Sequence, residues 1–475
     1  LPHARVVAIE SDREFGLSVL RRLDTELTRR GELFRTAGAQ DLAAHRRSGG
    51  EHLPRVLLLI DEFQEFFTED DTVARDAALL LDRFVRQGRA FGVHVVLGSQ
   101  TLSGAYSLAK SSLGQMGVRI VLPCNEADAH LLLHEDNDSV RLLTRPGEAI
   151  YNDQAGMAEG NSPFQVCWLS DQQRSDALRP LAARAAADGW KPSSPTVIFA
   201  GDTPARFDED VTLATRLAAA PDGKAIATIG QSSSLRGSAE VVFPAASGGN
   251  LLLVGQHREA AVATLVALGL GVAIRNPVGG LRLVAFDGED PDGPFAVAWG
   301  ALAASLPHGA IRVGGRELPP VLDDLTELLA KRQSGEDPSR TPVLLVVNAL
   351  QRLRTLRPDD EAPFDRSGEP LSDRFAKMLS NGPEYGVHAA VWCDALSGVQ
   401  RSLSRKSLRD FDLRICFQMS PADSNELIDD DGASRLGLHS ALLAVLAEGR
   451  REKFRPYQTP DPAFLAHLST ALRSR

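Results

Sequence analysis

Two adjacent carboxylates follow an apolar run near the start of the chain, in the stretch RVLLLIDEFQEFF (55–67). The two acids are Asp61 and Glu62, and this pairing suits the hydrolysis of a nucleotide. At the end of a strand, one carboxylate can hold Mg²⁺ while the other polarises an attacking water. That chemistry also needs a glycine-rich phosphate-binding loop of the form G-x-x-x-x-G-K-[ST]. Residues 1–54 contain no such loop.

A second copy of the surrounding pattern occurs later in the chain. The stretch GRAFGVHVVLGSQTLSG (88–104) matches GPEYGVHAAVWCDALSG (382–398), with Gly-Val-His and Leu-Ser-Gly at the same positions. Upstream of it, VLLLIDEFQ (56–64) matches VLLVVNALQ (343–351). Because the order is kept and the spacing changes only by short insertions, we infer an internal repeat.

Both copies alternate apolar runs with helical patterns. Val56–Ile60 and Val343–Val347 are continuous apolar runs, which are typical of strands buried on both faces. A helical pattern follows each run, and two further apolar runs come after it. This alternation predicts an α/β fold in which helices flank a parallel sheet. Between the copies, residues 183–210 are rich in Ala, Pro, Ser and Asp, which indicates a linker.

The second copy extends far enough upstream to show what precedes such a strand. The stretch NLLLVGQHREAAV (250–262) has the layout of a phosphate-binding loop: an apolar strand, a glycine and a helical pattern. Gly255 occupies the position of the first glycine. Arg258, Ala261 and Val262 replace the second glycine, the lysine and the Ser/Thr of such a loop. The glycines, the cation and the hydroxyl that bind phosphate and metal are therefore missing.

The acidic pair is also missing from the second copy, where Asn348 and Ala349 stand in its place. Since neither side chain can do the work of a carboxylate, we expect no ATP hydrolysis there. Gly255 precedes Asn348 by 93 residues, and the same interval before Asp61 falls ahead of residue 1. The chain also lacks an initiator Met, so we expect its first domain to be cut and the phosphate-binding loop to lie upstream.

The composition is that of an ordinary globular protein, with 43% apolar and 24% charged residues among 475. A formal net charge of −10 argues against a surface that coats nucleic acid, although it leaves room for a locally basic channel. The four cysteines form no C-x-x-C pair, so neither a zinc ribbon nor a disulfide framework is indicated. Polar residues interrupt the longest apolar stretch (251–274), which argues against a transmembrane helix.

On these motifs the chain resembles the FtsK/SpoIIIE branch of the ring ATPases, in the HerA/FtsK superfamily, and the EccC-like ATPases of type VII secretion. The matching stretches are VLLLIDEFQEFF, RAFGVHVVLGSQTLSG, and GVRIVLPC with the following EADAHLLL. The resemblance implies a RecA-like P-loop NTPase fold. It predicts a partial copy over 1–170, a linker over 171–235 and a complete but degenerate copy over 236–475.

The resemblance also implies ATP and Mg²⁺ as cofactors and assigns a role to each matching residue. Asp61 would hold Mg²⁺ through its water shell, and Glu62 would polarise the attacking water. Gln100, at the end of the next strand, would sense the γ-phosphate. Arg119, or else Arg89, would reach the nucleotide of a neighbouring subunit as an arginine finger.

Plainer interpretations stand beside these roles. The acidic pair and Gln100 could be ordinary polar strand ends. Arg119 has a counterpart, Arg414, in the inactive copy, so a shared structural role is at least as good an interpretation as catalysis. Gly255 could belong to a simple strand-to-helix turn or to a site converted to regulation.

Histidines offer a further set of alternatives. His94 and His388 begin equivalent strands, and retention in the inactive copy favours packing or a backbone hydrogen bond. His130 and His134 have the spacing of metal ligands on a helix, but no third ligand is evident, so we predict no metal other than Mg²⁺.

Three functions follow from these observations. The first is a ring motor, a hexamer by resemblance, that translocates double-stranded DNA, because the LIDEFQ…GVH series matches that branch most broadly. The second is an EccC-like motor for a secreted protein, which the tandem arrangement, the acidic balance and the lack of a recognisable DNA-reading domain favour. The third is a non-catalytic scaffold, since the segment alone lacks its loop. We expect a cytoplasmic location, with tethering to a membrane through upstream sequence.

Overall fold

A computed structural model describes residues 2–9, 12–102, 113–191, 196–201, 203–235, 237–358 and 368–475. The chain divides into two compact units, residues 1–200 (the first unit) and 201–475 (the second unit). The division falls inside the predicted linker, residues 171–235, and that segment contains regular elements. No helix in the described ranges is both long enough and apolar enough to cross a membrane.

The first unit is built from short sheets and helices. The parallel pairs β1–β7 and β2–β3 and the antiparallel set β4–β5–β6 form separate sheets among its described residues. Its elements are β1 (Val6–Ile9), α1 (Arg13–Thr36), α2 (Leu42–Arg47), β2 (Val56–Ile60), α3 (Thr72–Phe91), β3 (Val93–Leu97), β4 (Arg119–Val121), α4 (Glu126–Leu132), β5 (Glu148–Asn152), β6 (Asn161–Gln165), α5 (Asp171–Ala187) and β7 (Val197–Ala200).

Helix α3 shows how the sequence sets the ends of an element that supports the β2–β3 sheet. The Asp71 side chain accepts a hydrogen bond from the Ala74 amide and caps the start of the helix. Gly92 ends the helix in a left-handed conformation (φ 74°), which glycine adopts without a side-chain clash. The buried Leu81 and Phe84 belong to the core cluster that also contains side chains of α1 and Val93 of β3. One face of the sheet is thereby covered.

The second unit contains a ten-stranded sheet in the order β12-β11-β13-β14-β10-β15-β16-β17-β8-β9. Its elements are α6 (Leu213–Ala218), β8 (Ile226–Ser232), β9 (Ser238–Val242), β10 (Leu251–Val254), α7 (Arg258–Arg275), β11 (Arg282–Asp287), α8 (Pro294–Ser305), β12 (Ile311–Val313), α9 (Leu318–Ser334), β13 (Val343–Asn348), α10 (Leu371–Asn381), β14 (Val387–Cys393), α11 (Leu396–Ser402), α12 (Arg405–Leu408), β15 (Leu413–Cys416), α13 (Pro421–Ile428), β16 (Ala441–Val445), β17 (Arg450–Pro456) and α14 (Pro462–Arg473).

The strands from β12 to β15 in this order pair in parallel, and those from β15 onward pair antiparallel. The apolar side chains of β10 alternate between two large clusters, one that includes α7 and α8 and one that includes α9 and α10. The sheet is therefore buried on both faces, which explains the continuous apolar runs in its strands. The predicted α/β fold, with helices on both faces of a largely parallel sheet, is confirmed.

The two units pair equivalent strands in the same register. Val56 of β2 lies opposite Val93 of β3, and Val343 of β13 lies opposite Val387 of β14. These four residues are the ones that the sequence alignment of the two copies matches. The internal repeat is thus a repeat of structure as well as of sequence.

Candidate active site

The two acids of the first unit lie at the carboxyl end of β2, where parallel α/β sheets bind their ligands. Glu62 has a left-handed backbone (φ 51°, ψ 47°), an uncommon conformation for a residue with a side chain. The short 3₁₀ helix Phe63–Phe67 follows it at once, and two of its aromatic rings, those of Phe63 and Phe66, are buried. Burial of these rings holds the turn in which the carboxylates are displayed.

Hydrogen bonds orient the carboxylate of Glu62. Its Oε2 accepts from Gln64 Nε2 at 2.6 Å and from the Gln100 amide at 3.3 Å. These donors, Gln64 first, hold the pKa of Glu62 below its usual value, so the side chain is ionised at neutral pH. At the end of the neighbouring strand, Gly98 leaves room for Asp61, because a Cβ there would lie 2.9 Å from Asp61 Oδ1. The structure therefore brings Asp61, Glu62 and Gln100 together.

The loop after β3 is attached to the rest of the unit by a buried carboxylate. Asp128 Oδ1 accepts from the Leu102 amide at 3.1 Å, and Asp128 Oδ2 accepts from Asn125 Nδ2 at 2.7 Å. In the same loop, the Ser99 hydroxyl contacts Gln64 Oε1. Sequence reasoning missed Asp128, Ser99 and Gln64. Ser99 lies two residues beyond the end of β3 and Gln64 lies in the 3₁₀ helix after β2, so their positions near strand ends were an available signal, whereas Asp128 lies inside α4 and had none.

Arg119 lies at the start of β4, and its guanidinium contacts backbone carbonyl groups of its own unit. Its Nη1 donates to the carbonyl oxygens of Leu132 (2.7 Å) and Ala155 (2.9 Å). Burial lowers the pKa of its guanidinium. Leu132 is the last residue of α4, so the arginine connects a strand to the end of the following helix. The other candidate, Arg89, is exposed in the last turn of α3.

Arg414 makes the equivalent connection in the second unit. Its guanidinium donates to the carbonyl oxygens of Phe411, Leu408 and Leu427, and Leu427 lies near the end of α13. The matching contacts in a copy that lacks the acidic pair favour a structural role for Arg119.

The β2–β3 sheet of the first unit has one open apolar face. The side chains of Leu57 and Leu59 on β2 are 63% and 66% exposed, whereas their counterparts in the second unit, Leu344 and Val346, are 2% and 0% exposed. In and beside β4, about half of the surface of Val118, Ile120 and Leu122 is exposed. The matching positions in the second unit are buried. Several large apolar side chains exposed next to one another on a globular unit indicate an interaction surface.

In the second unit a strand and a helix cover the equivalent face. In the second unit β10 lies between β14 and β15, and α7, which follows β10, packs on the face that contains Leu344 and Val346. In the first unit the equivalent strands are β3 and β4, and no described strand joins them. Among the described residues of the first unit, therefore, no strand occupies the place of β10 and no helix occupies the place of α7.

The degenerate loop of the second unit is closed by its own groups. Only residues 255–257 connect β10 to α7, and Gly255 has φ 136°, a conformation that disfavours a side chain. His257 Nδ1 accepts from the Ala260 amide at 3.2 Å and caps the helix that would otherwise face a phosphate. Trp392 Nε1 donates to the Gly255 carbonyl. Ala261 and Val262 are buried in the core.

Charged side chains fill the place of the missing acidic pair. Asn348 Nδ2 donates to Asp287 Oδ1 (2.9 Å) and to Glu289 Oε2 (3.3 Å). Arg258 pairs with Glu289 at 2.9 Å, and Arg312 pairs with Asp287 at the same distance. Arg258 is thus engaged with a carboxylate of its own unit rather than free for a ligand.

A cleft of about 220 Å³ remains at this edge of the second unit. It is lined by Gly255 and Gln256 and by two acids, Asp394 and Asp423. Asp394 occupies the position that Gln100 has in the first copy. Carboxylates in this position repel phosphate oxygens, so the lining does not suit a nucleotide.

The histidine pair of the first unit does not gather a ligand set. His130 Nε2 lies 3.7 Å from Glu126, and His134 Nδ1 lies 3.4 Å from Asp136. Within the described ranges, no cluster of three or more His, Cys, Asp or Glu side chains is arranged to hold a metal. In the second unit, His388 is buried and its Nδ1 contacts the Gly249 carbonyl at 2.8 Å.

Curated sequences with detectable similarity are secretion proteins. The chain is 32% identical over 140 residues to the ESX-5 secretion system protein EccC5 of Mycobacterium tuberculosis, and 31% identical over 140 residues to EccC5 of Mycobacterium marinum. Each match covers 27% of this chain and 10% of the relative. The chain thus matches about a tenth of the length of these relatives. No protein-family model matches it.

Solved structures show the same fold over nearly the whole chain. The cytoplasmic domain of the Thermomonospora curvata type VII secretion ATPase EccC has a TM-score of 0.62 and 18% identity, covering 97% of this chain and 56% of that one. ATPases 2 and 3 of EssC from Geobacillus thermodenitrificans have a TM-score of 0.54 and 14% identity, covering 93% and 78%.

ATPases 2 and 3 of T. curvata EccC, in complex with a signal sequence peptide, also have a TM-score of 0.54, with 15% identity and coverage of 97% and 80%. All three structures contain ATPase domains of EccC or EssC. The resemblance to EccC-like ATPases is therefore confirmed, and the fold of the chain is that of the EccC and EssC ATPase domains.

Proposed function

We propose that the first unit is the acidic half of an ATP-hydrolysing domain in a protein-translocating motor. The grouping of Asp61, Glu62 and Gln100 beside an unfilled strand position carries this proposal. The carboxyl edge of that strand position is where a phosphate-binding loop would meet the two acids. Further polypeptide would supply the loop as a strand, a turn and an apolar helix, matching β10 and α7 of the second unit.

The residues present suit Mg²⁺ and ATP. Mg²⁺ usually keeps several waters when a protein and a substrate phosphate bind it, and Asp61 would hold it through this water shell. When bound, Mg²⁺ would neutralise charge on the transferring phosphate. Glu62, ionised and held by two donors, would accept a proton from the attacking water. Gln100 would contact the γ-phosphate from the next strand.

The second unit would act as an inactive partner. Its loop is three residues long, its helix start is capped by His257, and Arg258 is paired with Glu289. We infer that it hydrolyses no ATP and presents its fold as a scaffold. Arg119 serves the structure of its own unit, which leaves the exposed Arg89 as the candidate arginine finger in a ring, for which we propose a hexamer.

A secreted protein is the substrate that we favour. The curated relatives are secretion system proteins, and one structural neighbour was solved with a signal sequence peptide. Double-stranded DNA is the second candidate, since the LIDEFQ…GVH series resembles DNA motors. The two differ in salt dependence, because DNA affinity falls steeply as salt rises.

The test is ATP turnover by the complete native protein. We expect Glu62→Gln to lower kcat at least about 100-fold with nucleotide affinity retained, as for loss of a general base. Gln100→Ala should reduce turnover, and the matched control Asp394→Ala, at the equivalent position of the second unit, should not. Wild-type turnover in Glu62→Gln would reject the proposal.

The same assay distinguishes the two candidate substrates. Stimulation of ATP turnover by a signal peptide supports export of a protein, whereas salt-sensitive stimulation by duplex DNA supports the second candidate.

A further inference from the structure

Gln64 lies between the carboxylate of Glu62 and the loop after β3. Its Nε2 donates to Glu62 Oε2 at 2.6 Å, and its Oε1 contacts the Ser99 hydroxyl, which is also directed at the Thr101 carbonyl. An amide has a donor end and an acceptor end. The ionised Glu62 carboxylate can only accept, so it faces the nitrogen end of the amide, and the Ser99 hydroxyl donates to the oxygen end. The two partners together fix which way the amide points.

The second unit keeps the amide but has lost both of its partners. Gln351 aligns with Gln64, while Ala349 stands in place of Glu62 and Cys393 in place of Ser99. The Cys393 thiol is directed at the Ala395 carbonyl at 3.4 Å. In the described part of the second unit, Gln351 Oε1 is buried without a hydrogen-bond partner. The serine and the glutamate are therefore lost together, and the glutamine is left without the contacts of its counterpart.

The contact also connects Glu62 to the residue that would sense phosphate. Ser99 and Gln100 are consecutive, and the Gln100 amide donates to the same Glu62 oxygen as Gln64. Asp128 holds this loop through the Leu102 amide. The direction of the Glu62 carboxylate is therefore set from the loop that carries Gln100.

We propose that Gln64, oriented by Ser99, is a positioning residue that holds the Glu62 carboxylate in place to receive a proton from the attacking water. This inference rests on the proposed function, since it assigns a role within the same reaction. Gln64 does not itself touch the reacting atoms. Its loss lets the carboxylate rotate away, which lowers the rate of the chemical step without weakening nucleotide binding.

The experiment compares kcat and KM for ATP in the complete native protein. Gln64→Met, which keeps the length of the side chain but cannot donate, should lower kcat about 10–100-fold with KM within about threefold. Ser99→Ala should lower kcat less, since the amide then loses its contact with the hydroxyl but keeps its bond to Glu62. In a Glu62→Gln background, Gln64→Met should have no further effect, because the base is already absent. The matched control Gln351→Met should leave kcat unchanged.

Thermal unfolding of each variant separates a loss of fold from a loss of positioning, and Gln64→Leu serves as a second variant if Gln64→Met unfolds. Wild-type kcat in the folded Gln64 variants, with turnover lost in Glu62→Gln, would overturn the inference and leave the proposed function standing. An additive effect of Gln64→Met on Glu62→Gln would also overturn it. Full turnover in Glu62→Gln alone would instead overturn the proposed function.

Discussion

Glu62 and Ala349 occupy equivalent positions in the two units and share a left-handed backbone, with φ 51° and ψ 47° in the first and φ 54° and ψ 57° in the second. Glu62 follows Asp61, Ala349 follows the equivalent Asn348, and each directly precedes a 3₁₀ helix. The conformation persists at Ala349, whose side chain can do no acid–base chemistry. The turn is therefore a property of the fold, and in the first unit that turn displays the catalytic candidate.

Backbone strain at Glu62 can be measured by comparing Glu62→Gly with Glu62→Ala. Both variants lose the carboxylate, but only glycine adopts the left-handed region without a Cβ clash. We expect the glycine variant to have a free energy of unfolding about 1 kcal/mol higher than the alanine variant. Differential scanning calorimetry of the 475-residue chain checks this. Equal stability of the two variants would contradict a left-handed Glu62.

The open face predicts different costs for two equivalent leucines. Leu344→Ala should lower the free energy of unfolding of the second unit by about 3 kcal/mol, because it removes a buried side chain. Leu57→Ala should change the stability of the first unit by less than about 0.5 kcal/mol, because Leu57 is exposed. Calorimetric unfolding measures both. A large cost for Leu57→Ala in the 475-residue chain would show that its face is covered.

The two equivalent arginines predict a test of the arginine-finger hypothesis. Arg414→Ala removes two buried hydrogen bonds and one partly buried hydrogen bond to carbonyl groups and should destabilise the second unit by about 3 kcal/mol. Arg119→Ala should destabilise the first unit by about 1–2 kcal/mol, since it loses two such bonds at a half-buried site. Urea denaturation measures these changes. Unchanged stability with lost turnover in Arg119→Ala would instead support a finger.

The second unit should lose stability in mild acid. Burial lowers the pKa of His388 to about 4, although the bond to the Gly249 carbonyl opposes the shift. In the unfolded chain a histidine titrates near pH 6.5. Between these values only the unfolded state binds the proton, so stability is complete above about pH 6.5 and falls as the pH falls toward 4. This residue should cost about 2 kcal/mol between pH 7 and pH 4.5.

Intrinsic fluorescence can follow that unfolding, because Trp299 and Trp392 are buried in the second unit while Trp168 of the first unit is exposed. Urea denaturation at pH 7 and pH 4.5 should show a smaller loss in His388→Gln than in the wild type. The control is His94→Gln, since the equivalent His94 is exposed. If His388→Gln keeps the full pH dependence, His388 is not the responsible group.

Several features were predictable because they depend on short stretches of sequence. The apolar runs of β2 and β13 predicted strands of a parallel sheet, and both strands pair in parallel with the next strand of their copy. The prediction that both faces are buried is confirmed for β13 but not for β2, whose Leu57 and Leu59 are exposed. The loss of Lys and Ser/Thr at Ala261 and Val262 is a matter of residue type alone. The grouping of Asp61, Glu62 and Gln100 followed from strand ends that share one edge of a sheet.

Other features depend on side chains that are distant in sequence, and only the tertiary structure decided them. Three contacts require a specific approach of two elements. They are the contact of Ser99 with Gln64, the bond from the Leu102 amide in the loop after β3 to Asp128, and the pairing of Arg258 with Glu289. The bonds from Arg119 to the carbonyl groups of Leu132 and Ala155 also depend on the approach of separate elements. Periodicity and residue type determine which segments become strands and helices. Contacts between those elements depend on packing, and no local pattern encodes it.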